Sequence, residues 1–393
     1  MSTATKAHGM DGSLVEPDWA PLAMPEIRAL LMHFPQYGSP LEILSVSPRP
    51  FSAAGVVATQ TGPVFIKRHH QSVRDRGGLL EEHRFLNHLQ ARGASVPRVL
   101  VSESGETAIA IGEWVFEAHN VPTGIDLYST ALSWTPFKTS AHARAAGQAL
   151  ARLHQAAAGF SAPARKPRPL VAGFTIFAAQ NPRPELRSYL SARPVLSNNP
   201  AACAHAEQAL DLLAPFHAEL LPHLPALTLL WTHNDLHASN LLWTSAANDA
   251  QAAAIIDFGL ADRTNAVHDL AHAIDRNIVE WLTLVDNPSH PNNVPVHFDH
   301  LRGLLDGYES IRTLSHEEAS ALAPMTALCH AEFALSEADY FLGVLHSPEK
   351  AAMAHDGWLV GHARWFHSAA GTRLLDFLRQ WSQSPRPQRA GTQ

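Results

Sequence analysis

Cysteine is scarce: Cys203 and Cys329 are the two in 393 residues. Neither has a cysteine neighbour, which excludes a disulfide framework and a cysteine-paired metal spacing, and fits buried thiols in a reducing, cytoplasmic compartment. Charge is sparse too. Asp, Glu, Lys and Arg make up 17% of the chain and sum to a formal net charge of -7, whereas a nucleic-acid binder needs clustered Lys and Arg. No apolar run approaches the ~18 residues of a membrane span, so neither nucleic acid nor membrane is expected as a partner. The opening MSTATKAHGMDGS has no apolar segment of the kind a secretory signal carries. No internal repeat is visible. Histidine is the opposite case, with 25 in the chain, yet these are scattered and not paired at metal-ligand spacing. With 46% apolar residues there is ample core, and the length favours two lobes around a shared cleft.

The densest pattern runs from Trp231 to Asp262. His233, Asp235 and Asn240 have the H-x-D-x-x-x-x-N spacing of a kinase catalytic loop, and Asp257-Phe258-Gly259 supplies a D-F-G. Asn240 to Trp243 and Ala253 to Ile256 read as strands, and the polar Thr244–Asp249 stretch reads as the turn of a hairpin. Antiparallel pairing then brings Asn240 and Asp257 to one end, beside the loop that carries Asp235. Two carboxylates and an amide oxygen there make a hard-oxygen site suited to Mg²⁺ on nucleotide phosphates. Asp235 would accept or orient an acceptor hydroxyl, with Asn240 and Asp257 as metal ligands. His237 either orders the loop or lies near the transferred group. His233 reads as a brace.

These residues resemble the aminoglycoside phosphotransferase and choline kinase family, whose motif is H-G-D-x-H-x-x-N, then I-D-F or I-D-W, then D-L-A. Here it reads HNDLHASN, IIDFGLAD and Asp269-Leu270-Ala271, with Asn234 where Gly is usual. The resemblance implies an α+β, bilobal protein-kinase-like fold that uses ATP and Mg²⁺ on a small hydroxyl-bearing acceptor. It also implies that Asp269 braces the catalytic loop. The stretch from Leu301, with Gly307-Tyr308-Glu309, is similar to homoserine kinases of this fold.

On that frame, residues 1–22 are expected to be a disordered leader, 23–118 the N-lobe, 119–382 the C-lobe and 383–393 a disordered tail. A monomer or homodimer is expected. In the N-lobe, Phe51-Ser52-Ala53-Ala54-Gly55 is the candidate phosphate-covering loop, with Ser52 and Gly55 as its cofactor contacts. Lys67 ends an alternating strand that points it opposite Ile66, as a ligand for the α- and β-phosphates, and Glu82 on the following helix is its expected ion-pair partner. Backbone groups from Glu117 to His119 are expected to bond adenine. His154 is expected in the core behind the catalytic loop. Residues 161–200, rich in proline, read as a surface excursion.

Nine residues separate Gly259 from Asp269 and no A-P-E follows, so an extended peptide has no platform. The acceptor classes left open are amino alcohols, aminoglycosides, hydroxy amino acids and sugars. Protein-kinase and non-catalytic nucleotide-binding readings stand as alternatives. Asp275, Glu280, Asp286, Glu332, Glu337 and Asp339, with Trp281, Tyr340, Trp358 and Trp365, form either an acidic and aromatic acceptor wall or ordinary helix faces and core. On the first of these, changes at Asp275 or Glu280 raise the acceptor KM.

Overall fold

The computed structural model describes residues 7–8, 14–15, 17–286 and 288–384. Two short strands, β1 (Ala7–His8) and β2 (Leu14–Val15), pair with each other. Helix α1 (Met24–Leu31) precedes strands β3 (Pro40–Val46), β4 (Ala53–Thr59) and β5 (Gly62–His70). Helix α2 (Arg76–Ala91) leads to the hairpin β6 (Ala108–Ile111) and β7 (Trp114–Asn120), which turns through Gly112 at φ +60°. The strands form one antiparallel sheet in the order β3-β4-β5-β7-β6. Side chains alternate across it. Val64, Ile66, Phe116 and Ala118 bury one face against Ile27, Leu30 and Leu31 of α1. The alternate positions, Lys67, His69, Glu117 and His119, turn to the other face, where His83 of α2 meets them. The sheet therefore sorts apolar residues to its back and chemistry to its front.

The second part is helical. It contains α3 (Ser140–Ala157), α4 (Pro182–Ser191), α5 (Pro194–Ser197) and α6 (Pro200–Leu220). Strands β8 (Leu229–Thr232), β9 (Leu241–Trp243), β10 (Ala252–Ile255) and β11 (Asp262–Asn265) follow. The rest is α7 (Ala266–Ile278), α8 (Trp281–Asp286), α9 (Phe298–Glu309), α10 (His316–Leu328), α11 (Ala331–Gly343), α12 (Pro348–Met353), a π-helical stretch over Ala354–Gly361, α13 (His362–Trp365) and α14 (Ala369–Ser382). Helices α3 and α9 run against each other through glycine. A Cβ at Gly147, Gly303 or Gly307 would collide with the facing backbone, so their close approach depends on those three positions. Every residue of α7 is buried.

Two expectations change here. The ends expected to be disordered lie mostly outside the described residues, but residues 17–22 are packed. Asp18 accepts hydrogen bonds from Tyr340 at 3.1 Å and Lys350 at 2.6 Å, and Trp19 stacks on His70. Leu22 is buried with α1. A tryptophan and a leucine anchor that short stretch. The 161–200 segment is likewise no surface excursion. Leu170, Phe174, Ile176 and Phe177 enter the main core, and buried Arg165 donates to the carbonyls of Gly78 and Gly259. Its prolines start α4 and α5 at positions where a missing N–H costs nothing.

Candidate active site

The site begins with the β9–β10 hairpin. Ile255 pairs with Leu241, and the next amide, Ile256 N, donates to Asn240 O at 2.9 Å, so Asn240 and Asp257 meet at one end as the spacing requires. Strand β8 pairs with β11, which returns the chain beside the catalytic loop. Asn234 has φ +61° and Asp257 φ +59°. This left-handed backbone suits Gly and is tolerated by Asn and Asp, which accounts for Asn234 at the usual glycine position. Asn234 is also a brace: its Oδ1 accepts from Thr232 at 2.8 Å and Thr264 at 3.1 Å, and its Nδ2 donates to Leu260 O. Of the five non-glycine residues with positive φ among the described residues, Trp134, Leu170 and Asp257 line the cleft, so backbone strain collects at the site.

Asp269 holds the loop from below. Its two oxygens accept the amides of His233 at 2.9 Å and Asn234 at 2.7 Å, while His154 bridges it to Tyr308. The cap of α7 is Asn265, which accepts from His268 N. His233 accepts from Asp235 N and donates to Ile256 O, a geometry that leaves it no role as a base. His237 contacts Ser239 Oγ at 2.9 Å and lies 3.8 Å from Asp235; burial holds it well below its ordinary range, hence neutral. Burial raises the Asp235 carboxyl, and Arg276, with Nε 3.0 Å from Oδ1, opposes the rise.

The N-lobe residues fall differently from expectation. Lys67 Nζ donates to Asp257 Oδ1 at 2.9 Å, and the ion pair crosses the cleft. Burial works against the Lys67 charge, but Asp257, Glu117 and Glu82 together outweigh it and the ammonium is held above its ordinary value. Glu82 supports that charge without forming an ion pair with Lys67. It lies 3.9 Å from Arg165, which together with Arg74 ties α2 to the backbone after the D-F-G. Arg74, buried and beside Arg165, is pushed down to about 9. Glu117 is buried and accepts from His69, His83 and His119 at 3.0, 2.9 and 2.9 Å. Glu117 and His119 pair with Lys67 and Phe65 of β5, and the carbonyl of Ala118 between them accepts from Leu100 N. The loop between β3 and β4 is Ser47–Ser52, so the expected Phe51–Gly55 loop is half strand, because Ala53 already begins β4. Ser52 lines the cleft; Gly55 sits inside the strand, where a Cβ would strike Ser45 O.

The cleft has a cavity of about 170 Å³. Beyond Asp235 it is lined by Trp134, Phe333, Arg276 and Glu337. The Arg276 guanidinium lies 4.3 Å from the Phe333 ring and 4.9 Å from Trp134, and its two Nη atoms have no hydrogen-bond partner. Glu337 Oε2 is also unpartnered, and burial raises its carboxyl to about 8. Of the expected acceptor wall only Glu337 stands here. Asp275 is buried among histidines, and Glu332 accepts the amides of Thr175 and Ile176. Asp339 lies 3.6 Å from Arg193, and Glu280 pairs with His297. Trp281, Tyr340, Trp358 and Trp365 are core residues. The Asp286 side chain lies outside the described residues.

Arg49, Arg74, Trp134, Arg276 and Phe333 carry no sequence motif. Arg276 alone had a usable signal: it follows Asp269 by seven residues, two helical turns, and so shares the face that meets the catalytic loop. Arg49 descends from the covering loop to donate to Ser239 Oγ at 2.7 Å, with one guanidinium nitrogen unpartnered.

Hard-oxygen donors remain free for a cation. Asn240 spends its Nδ2 on Asp235, and among the described residues neither Asn240 Oδ1 nor Asp257 Oδ2 accepts a hydrogen bond. The residues present therefore fit a divalent metal.

A two-lobed α+β scaffold with this loop, lysine and D-F-G is a kinase-like phosphotransferase. The profile of the phosphotransferase enzyme family matches residues 52–288, and the chain belongs to that family. A search of the curated proteins gives no match. Among solved structures it is similar to a microcompartment-associated aminopropanol kinase, with TM-score 0.57 and 17% identity over 90% of this chain and 100% of that one. A choline/ethanolamine kinase family protein from Mesorhizobium loti gives 0.53 and 17%, over 91% and 99%. An aminoglycoside phosphotransferase in a ternary complex with ADP and hygromycin B gives 0.51 and 12%, over 88% and 100%. Among the described residues no helix is long and apolar enough to cross a membrane.

Proposed function

We propose that the enzyme moves the γ-phosphoryl of ATP, with Mg²⁺, to the hydroxyl of a small molecule that carries both an anionic group and an amine, a hydroxy amino acid in the simplest case. The observation that carries the transfer is the meeting of Asp235, Asn240, Asp257 and Lys67 in one cleft. Asn240 Oδ1 and Asp257 would hold the metal, whose chemistry is to neutralise phosphate charge. Lys67 would exchange Asp257 for the α- and β-phosphates, with Arg49 and Ser52 above them. Asp235 would orient the acceptor hydroxyl and take its proton, and Arg276 holds that carboxylate in place. His237, neutral and bonded to Ser239, positions the loop.

The acceptor class rests on the far end of the cleft. A buried guanidinium with both Nη atoms unpaired is a carboxylate fork awaiting its partner. Glu337, protonated when the pocket is empty, would ionise beside an ammonium. Trp134 and Phe333 already flank Arg276, so their faces serve the arginine and not a substrate cation.

Acceptor-stimulated release of ADP tests both levels with matched pairs that differ by one carboxylate: serine against ethanolamine, and threonine against 1-amino-2-propanol. The expected result is turnover that needs Mg²⁺ and prefers the carboxylate-bearing member. ATP binding without turnover across a broad panel of alcohols would leave a binding module instead. Preference for the decarboxylated members would overturn the acceptor assignment alone.

A further inference from the structure

A second polar cluster lies in the helical core outside the cleft. Asp275 of α7 is its centre. His362 Nε2 is 2.8 Å from Asp275 Oδ1, and His330 Nδ1 is 3.4 Å from Oδ2. The ligand atoms of Asp275, His330 and His362 all lie within 4.8 Å of one another, as do those of Asp275, Cys329 and His272. All five side chains are buried. They come from three separate elements: α7, the break between α10 and α11, and the start of α13. The break matters. Cys329 ends one helix and His330 caps the next, so two consecutive side chains reach the same carboxylate.

As hydrogen-bonded packing this cluster is incomplete. Among the described residues neither Nε2 of His330 nor Nδ1 of His272 has a hydrogen-bond partner. A buried polar atom left so is costly. The histidine cluster around Glu117 is the contrast, since there each imidazole has a hydrogen bond to the carboxylate. A carboxylate and imidazoles with open nitrogens are what a borderline-soft divalent ion takes, and what Mg²⁺ refuses.

We propose that this core is a structural transition-metal site, zinc by its donor chemistry, with Asp275, His330 and His362 as ligands. Its mechanical role follows from position. It would pin α7 to the α10–α11 break one residue before Arg276 and three residues before Phe333, and so set the acceptor end of the cleft. The site is independent of the phosphotransferase reading and of the Asn240–Asp257 site.

Because the ligands are buried, the ion must enter during folding, so the test uses full-length, untagged protein produced in zinc- or cobalt-supplemented minimal medium. Elemental analysis after gel filtration is expected to give one zinc per chain. The cobalt form is expected to show the visible d–d bands of a protein-bound ion. Asp257→Asn should keep its metal, and His330→Leu/His362→Leu should lose it. Folded wild-type protein with no zinc or cobalt above background overturns the proposal without recourse to any variant.

Discussion

The two ends of the cleft are built on opposite principles. At the proposed nucleotide end the main charges are already engaged: Lys67 pairs with Asp257, and Arg74 and Arg165 donate to backbone carbonyls. At the acceptor end charge is left open, with both Nη atoms of Arg276 and Glu337 Oε2 unpartnered. A closed arrangement can wait for a common, multiply charged ligand and exchange partners when it arrives. An open one is completed by a particular ligand, and an analogue that lacks the matching group leaves a buried charge unpaired, which is how polar sites discriminate.

Four measurements bear on this contrast. Asp235 sits between the ends, and Asp235→Asn is expected to lower kcat by ~10²–10⁴-fold, the usual span of general base catalysis, with nucleotide affinity nearly unchanged by calorimetry. A parallel loss of ATP affinity would show that the two ends are not separable. At the nucleotide end, Asp257→Asn is expected to abolish the metal-dependent part of ATP binding; equal affinity with and without Mg²⁺ in the wild type would remove the metal assignment.

At the acceptor end, Arg276→Met is expected to raise the acceptor KM by about 10–100-fold, the worth of a charge-assisted hydrogen bond. It should also move the acid limb of the pH–rate profile upward, because burial then raises Asp235 without the opposing arginine. An unchanged KM would mean that Arg276 serves Asp235 alone. The last effect is on stability, at Glu337. Its carboxyl is raised in the folded protein, so the stability it confers is complete below the ordinary 4.5 and is lost as pH rises through about 8. Glu337→Gln, which mimics the neutral acid, should match the wild type near pH 4 and be more stable by roughly 5 kcal/mol near pH 9. Denaturant midpoints that do not cross over in this way would refute the buried neutral carboxyl.

The catalytic loop was legible because its chemistry is local. Asp235, Asn240 and Asp257 lie within one hairpin, and the two-residue period of paired strands carries them to the same end. The exceptions lie where distant chain segments meet. Glu82 was expected on Lys67, but Arg165, from a proline-rich stretch read as surface, takes up that space beside α2. Glu117 and His119 stood at a hinge by position, yet β7 continues through them to Asn120. Asp275 and Glu280 were left open between an acceptor wall and ordinary helix faces. Helix α7 is buried on every side, so no apolar stripe marked which residue faced what.

What the sequence alone determined is the class of chemistry and the lobe that carries it, because motif residues bound by hairpin register need no knowledge of the rest of the chain. The lining of the far end of the cleft and the histidine cluster were decided by tertiary structure. Arg276, Glu337, Trp134 and Phe333 come from three segments, and Asp275, Cys329, His330 and His362 likewise from three. Their scattered spacing carries no signal until helix packing brings them within bonding distance.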